Sequence, residues 1–163
     1  MTRYPVVYAS GVFDMFHIGH LNILRRARRH CDHLVVGVAT DDYVRQAKGR
    51  APIVPFDDRR EIVASIRGVD ETVVDESEDK TIAWSRRHFD AIVKGDDWHG
   101  TPKGERLQLA MADLGVAVIY LPYTPHTSSS LLRARLTDSP ERPMGLANPR
   151  RSGLGPHSGS IAS

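Results

Sequence analysis

Two imidazoles stand three residues apart, His17 and His20, inside the run Gly11-Val12-Phe13-Asp14-Met15-Phe16-His17-Ile18-Gly19-His20. Neutral or charged, each ring offers N–H donors, and at i and i+3 on a helical turn both rings reach one group. Gly11 and Gly19 carry no side chain, so a bulky phosphate can approach the main chain beside them. An H-x-x-H pair can also hold a metal, but no H-E-x-x-H pattern follows, and Cys31 is the one cysteine in the chain. The residue types therefore point to phosphate handling rather than to zinc.

The flanking elements must place these groups. The segment from Tyr4 to Ser10 is short, β-branched and aromatic, as a buried strand is, and beyond Gly19 the apolar Leu24, Ala27 and Cys31 recur at helical spacing. The motif thus sits on a strand-to-helix turn, where unpaired backbone N–H groups and the helix dipole attract an anion. Downstream, strands are predicted at Leu34 to Ala39, Glu71 to Val74, Ala91 to Lys94 and Val116 to Leu121. Helices are predicted from Asp41 to Ala47, from Phe56 with Ile62, Val63 and Ile66 facing inward, around Thr81 to Arg87, and from Pro102 to Leu114. Strands separated by helices imply an α/β fold with a mainly parallel five-stranded sheet, right-handed crossovers and helices on both faces. Ligands of such sheets bind beyond the carboxyl ends of the strands, where strand order reverses. Three loops are expected to meet there, carrying Gly11 to His20, Gly95 to Trp98 and Tyr123 to Ser130.

The ordered series of blocks resembles the HxGH nucleotidyltransferase superfamily, and within it the cytidylyltransferases, from Val6 to about Leu136. Besides the histidine motif it comprises His33 to Asp42, Lys48-Gly49-Arg50, Phe56-Asp57-Asp58-Arg59-Arg60, Gly68-Val69-Asp70-Glu71 and Lys94-Gly95-Asp96-Asp97-Trp98. The resemblance implies a Rossmann-like fold and transfer of CMP from CTP to a small phosphorylated alcohol, foremost glycerol 3-phosphate, with release of pyrophosphate and formation of CDP-glycerol. It implies His17 and His20 as catalytic donors to the α-phosphate. It implies a nucleotide site drawn from Gly11, Val12, Phe13, Asp14, Ile18, Gly19, Arg50, Gly95, Asp97, Tyr123, Thr124, Thr127, Ser128, Ser129 and Ser130. Lys48 and Lys80 are expected at the acceptor phosphate, and Arg59 either there or capping the core. Asp14 is expected to orient the motif loop and to hold Mg²⁺ with the phosphates. Trp98 either helps shape the base pocket or packs. A homodimer is implied, without indicating its interface.

The likeness has departures. The closing motif of the family, Arg-Thr-x-Gly-Ile-Ser-Thr-Thr, falls on Tyr123 to Ser130, where Tyr123 replaces its arginine and His126 its glycine. A permanently charged planar fork is lost there, so another cation must compensate or nucleotide choice differs. Thr127 to Ser130 ahead of Leu131-Leu132 also form a helix-capping pattern. An adenylyltransferase of the same superfamily and a catalytically silent nucleotide-binding module are the alternatives, with Val93-Lys94-Gly95 similar to some adenylyltransferases and Asp96-Asp97-Trp98 to the CTP enzymes.

The 163 residues suffice for one domain with a substantial core. The net charge is +2, part of it in a C-terminal segment with Arg142, Arg150 and Arg151, which argues against a nucleic-acid partner. No apolar run reaches signal-peptide or membrane-spanning length, so the expected compartment is the cytoplasm. Composition sets a boundary near Leu136. Residues 1–136 read as the catalytic domain, and 137–163, rich in Gly, Pro, Ser and Arg, as a disordered tail.

Overall fold

The computed structural model describes residues 2–122, 124 and 127–137. The expectations for Tyr123, for His126 and for the tail beyond Thr137 lie outside the described residues. Within them five strands form one parallel sheet: β1 (Tyr4–Gly11), β2 (Cys31–Ala39), β3 (Glu71–Asp75), β4 (Ala91–Gly95) and β5 (Ala117–Leu121), in the order β3-β2-β1-β4-β5. The helices are α1 (Ile18–Arg28), α2 (Asp41–Lys48), α3 (Phe56–Ala64), α4 (Lys80–Arg86), α5 (Pro102–Asp113) and α6 (Ser129–Thr137), with a single 3₁₀ turn at Asp96–Trp98. Strand order reverses between β1 and β4, which places a crevice at their carboxyl ends. No described helix is long and apolar enough to cross a membrane.

Alternating side chains divide the core into two layers, as the period of a strand requires. Val7, Ala9, Leu34, Val36, Ala91 and Val93 bury one face against Leu24 and Ala27 of α1 and Val63 of α3. Tyr8, Val35 and Ile92 bury the other against Phe89 and against Leu107 and Met111 of α5. Helix starts are secured by local chemistry. Thr40, Asp79 and Thr101 each accept a hydrogen bond from an N–H of the first turn of α2, α4 and α5. Gly49 ends α2 with φ +67°, the left-handed conformation that a C-cap needs and that a Cβ disfavours.

In α3 the expected apolar face is only partly used. Val63 is fully buried and Ile66, just past the helix, packs half-buried against the same layer, but Ile62 is 41% exposed. The inner row, spaced i and i+4, belongs instead to Val63 and Arg59, and Arg59 is 1% exposed. Its guanidinium donates to the carbonyls of Val54 (2.9 Å), Val12 (2.5 Å) and Ala39 (2.9 Å) and pairs with Asp41 at 2.6 Å. Of its two expected roles Arg59 takes the structural one, because Nε, Nη1 and Nη2 are all engaged inside the protein, in four hydrogen bonds. Replacing it with methionine leaves three carbonyls and one carboxylate without their donor. Arg59→Met should therefore cost about 3 kcal/mol or more in urea unfolding, with Arg59→Lys restoring little, and an unchanged midpoint would contradict the clamp.

Candidate active site

The histidine motif leaves β1 through a distorted turn. Phe13 and Met15 adopt φ +55° and +48°, a conformation costly for residues with a Cβ and typical of over-determined functional loops. Asp14 fixes the turn from within. It is 3% exposed, and its carboxylate accepts from the backbone N–H groups of Ile53 and Val54 at about 3 Å and from Arg133 at 2.5 Å. The loop-orienting role expected of Asp14 is thus the one the geometry displays. The Mg²⁺ role does not fit, because its oxygens are taken by three donors. Among the described residues no group of three or more potential ligands forms a metal site. A magnesium ion would have to be carried by the triphosphate oxygens.

His17 is the N-cap of α1, its Nδ1 accepting from Gly19 N–H at 3.1 Å. With Nδ1 an acceptor, the neutral ring must carry its proton on Nε2, which lies 3.3 Å from the Ser129 hydroxyl. That hydroxyl in turn donates to the Asp14 carbonyl at 2.8 Å, so its oxygen is free to accept from His17. The two imidazoles stack 3.9 Å apart, and Phe13 and Phe16 flank His20 at 5.3 and 5.5 Å. Burial and the neighbouring His17 push the pKa of His20 down to about 3, and burial lowers that of His17 as well. Both rings are neutral near pH 7, each a single N–H donor. Gly19 is sterically required here, since a Cβ on it would meet the His17 ring at 2.9 Å.

A cavity of about 390 Å³ opens beside these rings. His17, Gly19 and His20 line it from α1, Lys48 from the end of α2, Gly95 and Asp97 from the end of β4, and Thr124 with Thr127 to Ser130 from the approach to α6. The three loops expected at the strand ends converge here, so far as they are described. Ser128 caps α6 through its hydroxyl to Leu131 N–H at 3.1 Å, which is the capping role of this segment, and Asn22 donates to Thr124 at 3.3 Å. A smaller adjoining cavity shares Lys48, Ser129 and Ser130 and adds Val12, Asp14, Arg50 and Arg133. Lys48, Arg50 and Arg133 are thereby gathered around one hydroxyl-rich helix start, and burial followed by those two arginines lowers the pKa of Lys48.

Other expected residues sit elsewhere. Phe13 is a core residue that supports His20, Ile18 is 49% exposed, and neither these two nor Gly11 line a described cavity. Lys80, expected at an acceptor phosphate, is 4% exposed and committed to Asp75, 2.8 Å from both carboxylate oxygens, and to the Ser77 carbonyl. Its three donors are used, so it acts structurally where it borders a second cavity of about 410 Å³. Trp98 lines that second cavity and not the first. Two residues were given no role by the sequence reading. Arg133 lies four residues after Ser129 on α6, a helical spacing that puts it on the same face, and Lys94 is buried at the end of β4 with its ammonium on the Ser10 hydroxyl at 2.9 Å.

Comparison with known proteins agrees with this geometry. The cytidylyltransferase-like family matches residues 8–135. The FAD synthase of Pyrococcus abyssi is 37% identical over 118 residues, covering 72% of this chain and 80% of that protein. The ethanolamine-phosphate cytidylyltransferase of Arabidopsis thaliana is 40% identical over 108 residues, covering 63% of this chain but 25% of that protein. Among solved structures, the lipopolysaccharide core biosynthesis protein of Thermoplasma volcanium superposes with a TM-score of 0.63 at 28% identity, over 76% of this chain and 99% of that one. A paired-histidine turn at the reversal point of a parallel sheet, matched over most of the chain, identifies it as a member of the cytidylyltransferase-like family of nucleotidyltransferases.

Proposed function

We propose that this protein transfers CMP from CTP to the phosphate of a small phosphorylated alcohol and releases pyrophosphate. The observation that carries this reading is the meeting, around one cavity, of two neutral stacked imidazoles, the hydroxyl-rich start of α6 and the cations Lys48, Arg50 and Arg133. An acceptor phosphate oxygen is already anionic, so no side-chain nucleophile has to be generated. It attacks the α-phosphorus in line; the new P–O bond forms as the bond to the β-phosphate oxygen breaks, and the electron pair leaves with pyrophosphate. Charge shifts among phosphoryl oxygens, and the protein's part is positioning and electrostatic stabilisation. Nε2–H of His17, exchanging the Ser129 hydroxyl for substrate, and an N–H of His20 donate toward the α-phosphate, while the three cations and the N–H groups at the head of α6 hold the leaving phosphates. Arg133 supplies a guanidinium fixed beside Ser129 and Ser130, in a chain whose sequence carries Tyr123 where the family motif has an arginine. Glycerol 3-phosphate, giving CDP-glycerol, is the simplest acceptor of the proposed class.

A second reading, transfer of AMP from ATP, is favoured by the similarity to FAD synthase across most of that protein's length. Pyrophosphate release from CTP and from ATP, each offered with glycerol 3-phosphate, other phosphorylated alcohols and FMN, separates the two. Faster turnover with ATP and FMN would replace the first reading by the second.

His20→Ala should leave the fold intact and lower kcat roughly a hundred- to a thousandfold, the usual cost of one transition-state donor. His17→Ala should lose as much activity and also about 1 kcal/mol of stability, because it deletes the N-cap of α1. Full activity in either variant would exclude the mechanism. Stability carries a further signature of the neutral His20 ring. Below its ordinary value of 6.5 the unfolded chain takes up a proton that the native ring refuses until about pH 3. Native stability should therefore fall as pH drops through this window, by on the order of 2–4 kcal/mol from this residue, and His20→Asn should flatten that part of a urea-denaturation pH profile.

A further inference from the structure

The second cavity, of about 410 Å³, lies between the β3–α4 loop and α5, lined by Glu78, Asp79, Lys80, Trp98, Lys103 and Arg106 among others. Behind it sits Lys94. Strand alternation puts Ser10 and Lys94 on the α4/α5 side of the sheet, in line with Tyr8 and Ile92, at the carboxyl ends of β1 and β4. Lys94 is 7% exposed, and its ammonium lies 4.6 Å from the centre of the Trp98 ring that walls the cavity. Lys103 approaches the same ring at 5.9 Å. Among the described residues the ammonium has one hydrogen-bond partner, the Ser10 hydroxyl at 2.9 Å, and no carboxylate in ion-pair contact. Asp75, Asp97 and Glu78 attract the ammonium without ion-pair contact, and Asp75 spends both oxygens on Lys80.

A buried ammonium held by a single hydrogen bond stands out beside the other buried cations, Arg59 with four and Lys80 with three. It is placed where two cavities flank the same 3₁₀ turn, Gly95 and Asp97 facing the first and Trp98 the second. The first takes the nucleotide in the reading above. The second, at the same strand ends and of similar size, remains for the body of the acceptor.

We propose that Lys94, with Ser10 and Trp98, selects the acceptor by its far end: it accepts a polyol phosphate, whose hydroxyl oxygens take the free N–H groups of the ammonium, and rejects an amino-alcohol phosphate, whose positive charge it repels. Trp98 alone would do the reverse, since an aromatic face attracts a quaternary or primary ammonium, but its ring already has two lysines against it. This assignment rests on the transferase reading and adds to it a specificity-determining residue.

The test compares glycerol 3-phosphate with phosphoethanolamine as acceptors, in wild type, Lys94→Met and Lys94→Gln, by pyrophosphate release and, without nucleotide turnover, by calorimetric titration of each acceptor. Wild type should favour glycerol 3-phosphate roughly tenfold or more in kcat/KM and in binding. Lys94→Met should bring the ratio close to one, through KM for the acceptor and with KM for the nucleotide unchanged. Lys94→Gln keeps a donor without the charge, so it should retain glycerol 3-phosphate and gain phosphoethanolamine. Equal use of the two acceptors by wild type, or a ratio untouched in both variants, would overturn the assignment. Absence of pyrophosphate with every acceptor would overturn the transferase reading instead. In that case the titrations alone decide: a preference for glycerol 3-phosphate lost with Lys94 upholds the role of this residue, and equal or absent binding removes it.

Discussion

A single guanidinium ties the catalytic end of the sheet together. In a parallel sheet the strands end in carbonyls that the ladder no longer satisfies, and they end where a ligand must be received. Arg59 takes the carbonyls of Val12 and Ala39, which follow β1 and close β2, together with Val54 from the loop before its own helix, and balances its charge on Asp41 at the start of α2. The desolvation of the charge is offset only because all these partners are in place at once. Four segments distant in sequence are thereby fixed relative to each other before any substrate arrives.

Asp14 extends that frame by one step. Val12, held by Arg59, is two residues away, and the Asp14 carboxylate carries the frame on to Ile53, Val54 and the Arg133 guanidinium of α6. The left-handed turns at Phe13 and Met15 are tolerable because both sides of the loop are pinned. The consequence is felt by the histidines. His17 has its ring locked by Gly19 on one side and Ser129 on the other, and His20 is held by stacking on His17 and by two phenylalanine rings. Burial keeps both neutral, so in the proposed reaction they would meet substrate as oriented donors rather than as mobile charges. Donors that need no reorientation are the ones that act on developing charge.

Charge is distributed unevenly about this frame. The buried cations Arg59 and Lys80 build the fold, whereas Lys48 and Arg133 line the cavity space beside the histidines and Lys94 lies behind the Trp98 wall of the other cavity. Arg133 retains a buried Nε without a partner, even while its other end is bound to Asp14. A buried N–H donor left without a partner at a strand-end crevice is what an anionic substrate would complete.

Much of this was legible in the chain. The alternation of strands and helices and the capping pattern at Thr127 to Ser130 follow from local patterns, because hydrogen-bonding periods and capping geometry are written in neighbouring residues. The histidine pair was legible for the same reason: its spacing on one turn is a local fact. What each isolated cation does was decided only by tertiary structure. Arg59, Lys80 and Lys94 are basic residues near predicted strand ends or helix starts, and nothing in their neighbours' types distinguishes them. Arg59 became a clamp, since the i, i+4 row with Val63 turned it inward onto three carbonyls, and Lys80 became structural because the adjacent strand end presented Asp75. Lys94 was left over, on the face where β1 offers only the Ser10 hydroxyl. The partner that settles a charged side chain comes from another strand, so its role is a property of the packed sheet and not of the sequence around it.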